Sequence, residues 1–182
     1  LKLTHRIDRH TSGILILAKT KKIAKEMTSL FKNNEVFKTY WAITVDAPKK
    51  EQDVITSPLK KKLINGIEKV VVDPKSEKKA KTKYKVLEKK KGLALIEVYP
   101  QTGRTHQIRV HLLEIKAPIL GDKKYYSEKS LGFNQNSNYD DLHLHAKKVS
   151  FMLGKKKYNL KAEIPNHFKY TLKANKFVVA YE

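Results

Sequence analysis

The chain has no cysteine, few acidic residues, few arginines and no long apolar run. Without cysteine it can form no disulfide and has no thiol nucleophile or thiolate metal ligand. No apolar stretch approaches the roughly 18 residues of a membrane-spanning helix, and the sequence shows no secretory or transit pattern. These features exclude disulfide-stapled and thiol-dependent classes, and we expect a cytoplasmic setting.

The shortage of acidic residues leaves the chain strongly basic. It carries 39 Lys and Arg against 18 Asp and Glu, a formal net charge of +21. This imbalance predicts a polyanionic partner, of which nucleic acid is the commonest, although general lysine enrichment for solubility is an alternative. Membrane-surface binding is not expected, because the amphipathic segment 20–32 is more simply a helix with a core face.

Arginine is scarce, and its few positions are clustered. Two arginines lie within residues 5–13 (HRIDRHTSG) and two within residues 102–111 (TGRTHQIRVH), whereas every other cation is a lysine. The four are Arg6, Arg9, Arg104 and Arg109. Arginine offers a planar fork of donors that pairs with carboxylate or phosphate and stacks on flat rings. The two motifs therefore predict one site that handles an anionic substrate.

Apolar spacing predicts one α+β domain over residues 1–182, with a mixed, mainly antiparallel sheet and flanking helices. Thr20 is expected to cap a helix over 20–32, and Thr102 or Thr105 a helix reaching about residue 116. Pro165 is expected to open a final helix. Predicted strands are 13–18 (buried), 39–45 and 70–72, with hairpins at 82–99 and at 142–152 with 158–164. Predicted loops or linkers are 46–57, 73–81 and 127–141.

Asp8 is the candidate reactive group of the first motif. Guanidinium groups at Arg6 and Arg9 favour its ionised form, which suits a nucleophile or an electrostatic stabiliser but not a general acid. An exposed aspartate in a surface ion pair is the alternative. The crowding of Arg, His, Thr, Ser and Gly beside a predicted buried strand favours the catalytic interpretation.

The motif at residues 5–13 resembles the active-site motif of the RluA-type pseudouridine synthases. Residues 38–42 (KTYWA) resemble their tyrosine-bearing strand, and 102–111 their arginine motif. Two further runs, 118–122 (PILGD) and 142–146 (LHLHA), follow in the family's order. The resemblance covers about residues 3–165. It implies the pseudouridine synthase fold and isomerisation of uridine in RNA, a reaction that needs no cofactor or metal.

The resemblance also implies a role for individual residues. Asp8 would attack the target uridine and permit cleavage of its N-glycosidic bond. Tyr40 would lie against the base, and Arg109 would pair with Asp8. Arg6 would fill the gap left by the flipped-out nucleotide, and Leu144 would pack at the base pocket. The remaining predicted RNA contacts are Arg9, Thr11, Arg104, Thr105, His106 and Gln107.

Simpler interpretations of these residues are a core position for Tyr40 and a solvated surface charge for Arg109. The histidines at 106, 111, 143 and 145 lack the spacing of a metal site, so no metal is expected. The sequence begins at Leu1, four residues before its densest motif, which predicts an N-terminally truncated catalytic domain without an S4-type RNA-binding module. We expect a monomer.

The stretch 58–70 resembles the C type of ribosomal large-subunit synthase within this family. That similarity predicts uridines of 23S rRNA as substrates. A tRNA-directed synthase of the same family is one alternative. A non-catalytic RNA-binding or ribosome-assembly module that retains the fold is another.

Overall fold

The structure of the chain, a computed structural model, describes residues 1–134 and 139–178. Its strands are β1 (Lys2–Leu3), β2 (Ser12–Gly13), β3 (Leu17–Ala18), β4 (Phe37–Val45), β5 (Gln52–Ile55), β6 (Leu59–Ile64), β7 (Ile67–Val72), β8 (Thr82–Lys90), β9 (Leu93–Pro100), β10 (Leu144–Leu153) and β11 (Lys156–Lys161). Its helices are α1 (Lys21–Lys32), α2 (Gln107–Glu114), α3 (Glu128–Asn134) and α4 (Asn166–Ala174). None of these helices is long and apolar enough to cross a membrane.

A seven-stranded sheet organises the described part of the chain, with the order β11-β10-β4-β9-β8-β5. Every neighbouring pair along this path is antiparallel, whereas β2 joins β10 in parallel. Two smaller sheets consist of β1 with β3 and of β6 with β7. The predicted α+β class with a mixed, mainly antiparallel sheet is confirmed.

Central strand β4 divides the core because its side chains alternate between the two sheet faces. Ala42 packs in a cluster that includes Ile108 and Leu112 of α2. Trp41 and Ile43 pack on the opposite face, in a cluster that includes side chains of α4. The face that carries Ala42 also carries Tyr40, so the sheet presents Tyr40 on the side of α2.

Several local predictions are confirmed. Thr20 caps α1, accepting a hydrogen bond from the Ile23 backbone N–H at 3.2 Å. The hairpin of β8 and β9 and the hairpin of β10 and β11 both form. Pro165 precedes α4 as expected. In each case the signal is local, a cap or an alternating pattern beside a turn.

The predicted buried strand over 13–18 is wrong. Only its ends pair, β2 with β10 and β3 with β1, because the chain crosses here from the main sheet to a smaller one. Ile14 and Ile16 pack against the cluster under α1, whereas Leu15 and Leu17 are 44% and 41% exposed. The sequence of this segment is apolar throughout and does not alternate, so it gave no sign that the side chains of Leu15 and Leu17 face solvent.

Two predicted loops contain regular structure. The loop predicted at 46–57 includes the edge strand β5, which pairs with β8. The loop predicted at 127–141 includes α3, where Ser127 Oγ accepts a hydrogen bond from the Ser130 N–H at 3.2 Å. Residues 135–138 of that prediction lie outside the described part. Strand β6, which pairs with β7, was not predicted, and β7 is longer than the predicted 70–72.

Two glycines allow the close backbone approaches that hold the site segments. Gly13 has φ +105°, and a Cβ there would lie 2.3 Å from the Ala146 carbonyl oxygen. Gly121 has φ +77°, and a Cβ there would lie 1.9 Å from the Asp141 carbonyl oxygen. Any other residue would force these segments apart. Gly13 ends the loop that bears Asp8, and Gly121 precedes a buried aspartate described below.

The buried histidines around the start of β10 predict acid-sensitive folding. Burial lowers the pKa of His143 to about 4, with the charge of His167 as a second cause, and burial also lowers the pKa of His145 to about 4. Both pKa values lie below the unfolded value of 6.5. The contribution of the two neutral histidines to the free energy of unfolding is therefore complete above that pH. It is lost as the pH falls towards 4, by up to about 1.4 kcal/mol per pH unit for each histidine.

Urea unfolding between pH 7.5 and 4.5 measures this loss. Replacing exposed His10 with Gln should leave the pH profile unchanged, whereas His145→Gln should flatten it. A free energy of unfolding that stays constant over this range would contradict the prediction.

Candidate active site

A cavity of about 580 Å³ lies between the loop bearing Asp8, α1, β4 and the segment that leads into α2. Its wall contains most of the residues predicted from the sequence. These are Arg6, Asp8, Thr11, Tyr40, Arg104, Thr105, His106, Gln107 and Leu144. Arg109 lies behind the wall against Asp8. Arg9 is exposed and lies outside the cavity wall.

The loop that carries Asp8 is held by hydrogen bonds at both ends. The Thr11 N–H donates to the Asp8 carbonyl at 2.9 Å and closes a turn. Ser12 Oγ is hydrogen-bonded to His145 Nδ1 at 2.9 Å, next to the parallel pairing of β2 with β10. On the other side, His5 Nε2 accepts from the Ile16 N–H at 2.9 Å. The carboxylate of Asp8 is therefore presented from a fixed backbone.

Arg109 contacts two aspartates, and the closer one is Asp122. Its Nε and Nη2 donate to the two Asp122 carboxylate oxygens, both at 2.7 Å, whereas its Nη1 lies 3.6 Å from Asp8 Oδ2. Asp122 is 1% exposed. The bidentate pair fixes the plane of the guanidinium, so Asp122 aims Arg109 and leaves one nitrogen for Asp8.

The alternative of a solvated surface charge at Arg109 is wrong, because the residue is buried. Burial tends to lower its pKa, but the hydrogen bonds and charge of Asp122 raise the pKa of Arg109 above its usual value. Its guanidinium also lies 4.8 Å from the ring centroid of Tyr125. A permanent cation therefore stands next to Asp8 at any working pH.

His106 faces Asp8 from the other side, with Nε2 3.9 Å from Oδ1. Its backbone has φ 53°, in the left-handed region that is unusual for a residue with a side chain. Its Nδ1 is hydrogen-bonded at 2.7 Å to the hydroxyl of Tyr125, which accepts from the Val70 N–H. This arrangement lets Tyr125 donate to Nδ1, which places the proton of the neutral ring on Nε2, towards Asp8.

The charge state of His106 follows from its surroundings. Burial lowers its pKa most strongly, the charge of Asp8 raises it, and the charge of Arg109 lowers it, with a net decrease. The imidazole is therefore neutral at pH 7. Arg109 rather than His106 supplies the positive charge beside Asp8.

Tyr40 lies on β4, with Ala146 of β10 as its cross-strand neighbour. Burial raises the pKa of Tyr40 to about 12, with the charge of Asp8 as the second cause. The hydroxyl therefore stays protonated at neutral pH and can act as a hydrogen-bond donor. Leu144, a buried residue of the adjacent strand, gives the cavity an apolar wall near the ring.

The predicted cap of the second helix is wrong. Helix α2 begins at Gln107, and its N-cap is His106, which makes no side-chain capping bond. Thr102 Oγ1 instead donates to Gln107 Oε1 at 2.7 Å. The helix also ends at Glu114, before the predicted residue 116. Helix α2 therefore starts from a left-handed residue without a Ser/Thr cap.

Gln107 lines the cavity, but its amide is occupied by the protein. Oε1 accepts from the Thr102 hydroxyl and from the Arg104 N–H, and Nε2 donates to the Lys81 carbonyl and to Thr82 Oγ1. All four hydrogen-bonding positions of the amide are filled. The geometry therefore makes Gln107 a positioning residue for the loop that carries Arg104.

The remaining predicted contacts lie at the rim or in the wall. Arg6 and Arg104 are exposed at the cavity mouth, and Arg104 Nε donates to the Lys79 carbonyl at 3.1 Å. Thr105 is half-buried in the wall. Thr11 is buried, and its Oγ1 has no hydrogen-bond partner in the part of the chain that the structure describes.

Sequence reasoning missed three residues around this site. Asp122 occurs in the run PILGD, for whose aspartate the sequence predicts no role. Tyr125 follows it and has no signal of its own. Lys38 has a usable signal, because it precedes Tyr40 by two residues in an alternating strand and therefore shares its face.

The histidines do not gather into a metal site. His111 Nδ1 is hydrogen-bonded to Thr82 Oγ1 and its Nε2 to the Ser57 carbonyl, whereas His143 Nε2 is bonded to Thr171 Oγ1. Across residues 1–134 and 139–178, no group of three or more histidine or acidic side chains is arranged to hold a metal ion. These imidazoles contribute to packing.

Comparison with known proteins agrees with this geometry. Residues 1–114 match the family model described as RNA pseudouridylate synthase. The chain is 33% identical to human pseudouridylate synthase RPUSD4, mitochondrial, over 94% of the chain and 55% of that protein. It is 38% identical to ribosomal large subunit pseudouridine synthase C of Vibrio parahaemolyticus, over 83% of the chain and 47% of that protein. The chain thus spans about half the length of these relatives.

A solved structure shows the same architecture. Human RNA pseudouridylate synthase domain containing 4 superposes with a TM-score of 0.77 at 33% identity. The match covers 96% of this chain and 76% of that one. The structural similarity therefore extends beyond residues 1–114, which the family model matches, into the part of the chain that contains β10, β11 and α4.

Proposed function

Because the chain belongs to the RNA pseudouridylate synthase family, we propose that it converts uridine to pseudouridine in RNA, with 23S rRNA as substrate. The observation that carries the proposal is the position of Asp8. It lies in the wall of a cavity shared with Tyr40, with Arg109 3.6 Å from its carboxylate. The cavity volume, about 580 Å³, falls within the range of about 300–1,000 Å³ common for small-molecule sites.

In this proposal Asp8 acts on a uridine that has left the RNA stack. A base inside a helix must be extruded before an enzyme can reach its glycosidic carbon. Asp8 attacks the uridine, the bond between N1 and the ribose breaks, and the uracil rotates. A bond then forms from C5 to the ribose and the bond to Asp8 breaks, which frees the carboxylate; C5 loses its proton and N1 gains one, so that product and substrate are isomers.

The surrounding residues support that sequence of steps. Arg109, aimed by Asp122, sets its positive charge beside Asp8 and orients that carboxylate. Tyr40 lies against the uracil, where a flat ring with a polar end suits stacking, and its protonated hydroxyl acts as a donor rather than as a base. Leu144 packs at the edge of the base.

The exposed cations extend the site towards the RNA chain. Arg6, which is exposed and lines the cavity, fills the vacancy left by the flipped nucleotide, a role that suits its flat, charged guanidinium. Arg104 and Thr105 contact the RNA next to the target. Arg9, outside the wall, binds a more distant phosphate. The protein acts as a cytoplasmic monomer, without cofactor or metal.

Release of tritium from C5-labelled uridine tests the reaction directly. The protein is incubated with labelled 23S rRNA and tRNA transcripts, and the pseudouridines formed are mapped. We expect release from 23S rRNA, because relatives similar to this chain carry the name ribosomal large subunit pseudouridine synthase C. Release from tRNA alone would assign the protein to tRNA, and RNA binding without release from either would favour a non-catalytic module.

Binding of RNA should weaken steeply with salt. The net charge of +21 comes largely from lysines, which bind phosphate through counterion release. If about six phosphates are contacted, raising KCl from 50 to 200 mM should weaken the affinity by roughly 10³-fold. Fluorescence anisotropy with a labelled 23S rRNA fragment measures this, and an affinity that does not change with salt would contradict it.

A further inference from the structure

Lys38 is a cation of the cavity wall that the proposed chemistry leaves unused. It is half-buried on β4, two residues before Tyr40. Side chains two residues apart on a strand share a face and are separated by roughly 7 Å. Lys38 therefore shares the sheet face of Tyr40, and Phe31 and Lys32 at the end of α1 line the same cavity.

The ammonium of Lys38 has no anionic partner among the residues that the structure describes. Within residues 1–134 and 139–178 it takes part in no ion pair or side-chain hydrogen bond, and burial alone lowers the pKa of Lys38. Its charge also helps to lower the pKa of His5, after the larger effect of burial. A partly desolvated cation without a partner destabilises the free protein, which is typical of a group whose partner is a ligand.

The charge of the cavity points to an anionic ligand group. The charged lining residues are Arg6, Lys32, Lys38, Arg104 and Asp8. Asp8 is the acid among them, and Arg109 already faces it at 3.6 Å. The end of the cavity near α1 is therefore left with positive charge. A uridine bound against Tyr40 brings its own anion with it, since a phosphodiester flanks its ribose.

We propose that Lys38 binds the phosphodiester next to the flipped-out uridine, forming a phosphate subsite between Tyr40 and α1. The inference rests on the proposed function and extends it from the base to the backbone of the substrate. Lysine suits this task because its ammonium is a compact point charge that binds phosphate without a fixed fork geometry. A contact to the adjacent phosphate fixes the ribose relative to Asp8, which favours reaction through orientation.

The experiment pairs a protein variant with an RNA change. Lys38→Met keeps the length of the aliphatic stem and removes the charge. Lys83→Met is the matched control, because Lys83 is an exposed lysine of β8 outside the cavity wall. The RNA is a fragment whose target uridine has been mapped, and a neutral methylphosphonate replaces either the phosphate next to that uridine or one three nucleotides away.

Lys38→Met should weaken RNA binding and lower kcat/KM by about tenfold or more, as expected for loss of a charged hydrogen bond. Lys83→Met should change both by less than about threefold. With the wild-type protein, the adjacent methylphosphonate should weaken binding by a similar factor, and combining it with Lys38→Met should add little further loss. The distant methylphosphonate should act independently of Lys38. Thermal unfolding should show that Lys38→Met is at least as stable as the wild type, because the substitution removes a partly desolvated charge.

Each other outcome overturns the inference. If Lys38→Met behaves like Lys83→Met, or if its effect multiplies with that of the adjacent methylphosphonate, Lys38 does not bind that phosphate. These results leave the proposed function intact as long as the wild-type protein forms pseudouridine. If the wild-type protein forms none in any RNA, the proposed function fails, and this inference fails with it.

Discussion

Replacing Asp8 with Asn is expected to reduce pseudouridine formation by about 10⁴-fold or more, the scale typical for removal of an essential nucleophile. The amide keeps the shape of the carboxylate but has neither its charge nor its nucleophilicity. Arg109 and His106 would still face the side chain, so the cavity should keep its form. Tritium release under single-turnover conditions measures the effect.

RNA binding separates a chemical defect from a structural one. Asp8→Asn should bind the mapped 23S rRNA fragment within a few-fold of the wild type, because removing one negative charge does not weaken phosphate contacts. Asp53→Asn is the matched control, since Asp53 is an aspartate of β5 whose ion pair with Lys50 is solvent-exposed. Activity of Asp8→Asn above about one hundredth of the wild type would remove Asp8 from the centre of the mechanism.

Replacing Arg109 with Met is expected to destabilise the fold as well as the reaction. The substitution leaves the carboxylate of Asp122, whose side chain is 0% exposed, without its cation. Breaking a buried pair in this way costs about 3–5 kcal/mol. The free energy of unfolding, obtained from urea denaturation, should fall by this amount, and pseudouridine formation should fall at temperatures where the variant is still folded.

A double variant distinguishes the two effects of Arg109. In Arg109→Met with Asp122→Asn, the uncompensated charge is gone. The side-chain oxygen of the introduced asparagine can still accept the backbone N–H bonds that Asp122 Oδ1 receives from Lys124 and Tyr125, both at 2.9 Å. Much of the lost stability should return, whereas activity should not, because Asp8 still lacks its cation. Recovery of activity together with stability would show that Arg109 acts on the fold and not on Asp8.

The fold was predictable where the signal is local. The helix α1 follows from apolar spacing and a threonine cap, and the hairpins follow from alternation beside turns. Strand β5 and helix α3 were missed because they are short, mix polar with apolar residues, and pair or pack with distant segments. The run 13–18 was misassigned because composition indicates burial but not that the chain passes between two sheets.

The site was predictable in its members but not in its contacts. The resemblance predicts Asp8, Tyr40 and Arg109 in one site; Asp8 and Tyr40 line the cavity, and Arg109 lies against Asp8 behind its wall. It did not identify Asp122 as the closer partner of Arg109, because that pair joins α2 to the segment after Pro118. Nor did it show that the amide of Gln107 is filled by backbone and threonine groups of neighbouring segments.

The sequence by itself determined the basic charge, the order of the motifs and the residue that carries the proposed chemistry. These properties belong to residue types and short spacings, which need no folded chain to be recognised. Only the tertiary structure decided which aspartate aims Arg109, that His106 is neutral, and that Lys38 is a half-buried cation without a partner among the described residues. Each of these depends on the distance between segments that are far apart in the chain, and on how much water the fold leaves between them.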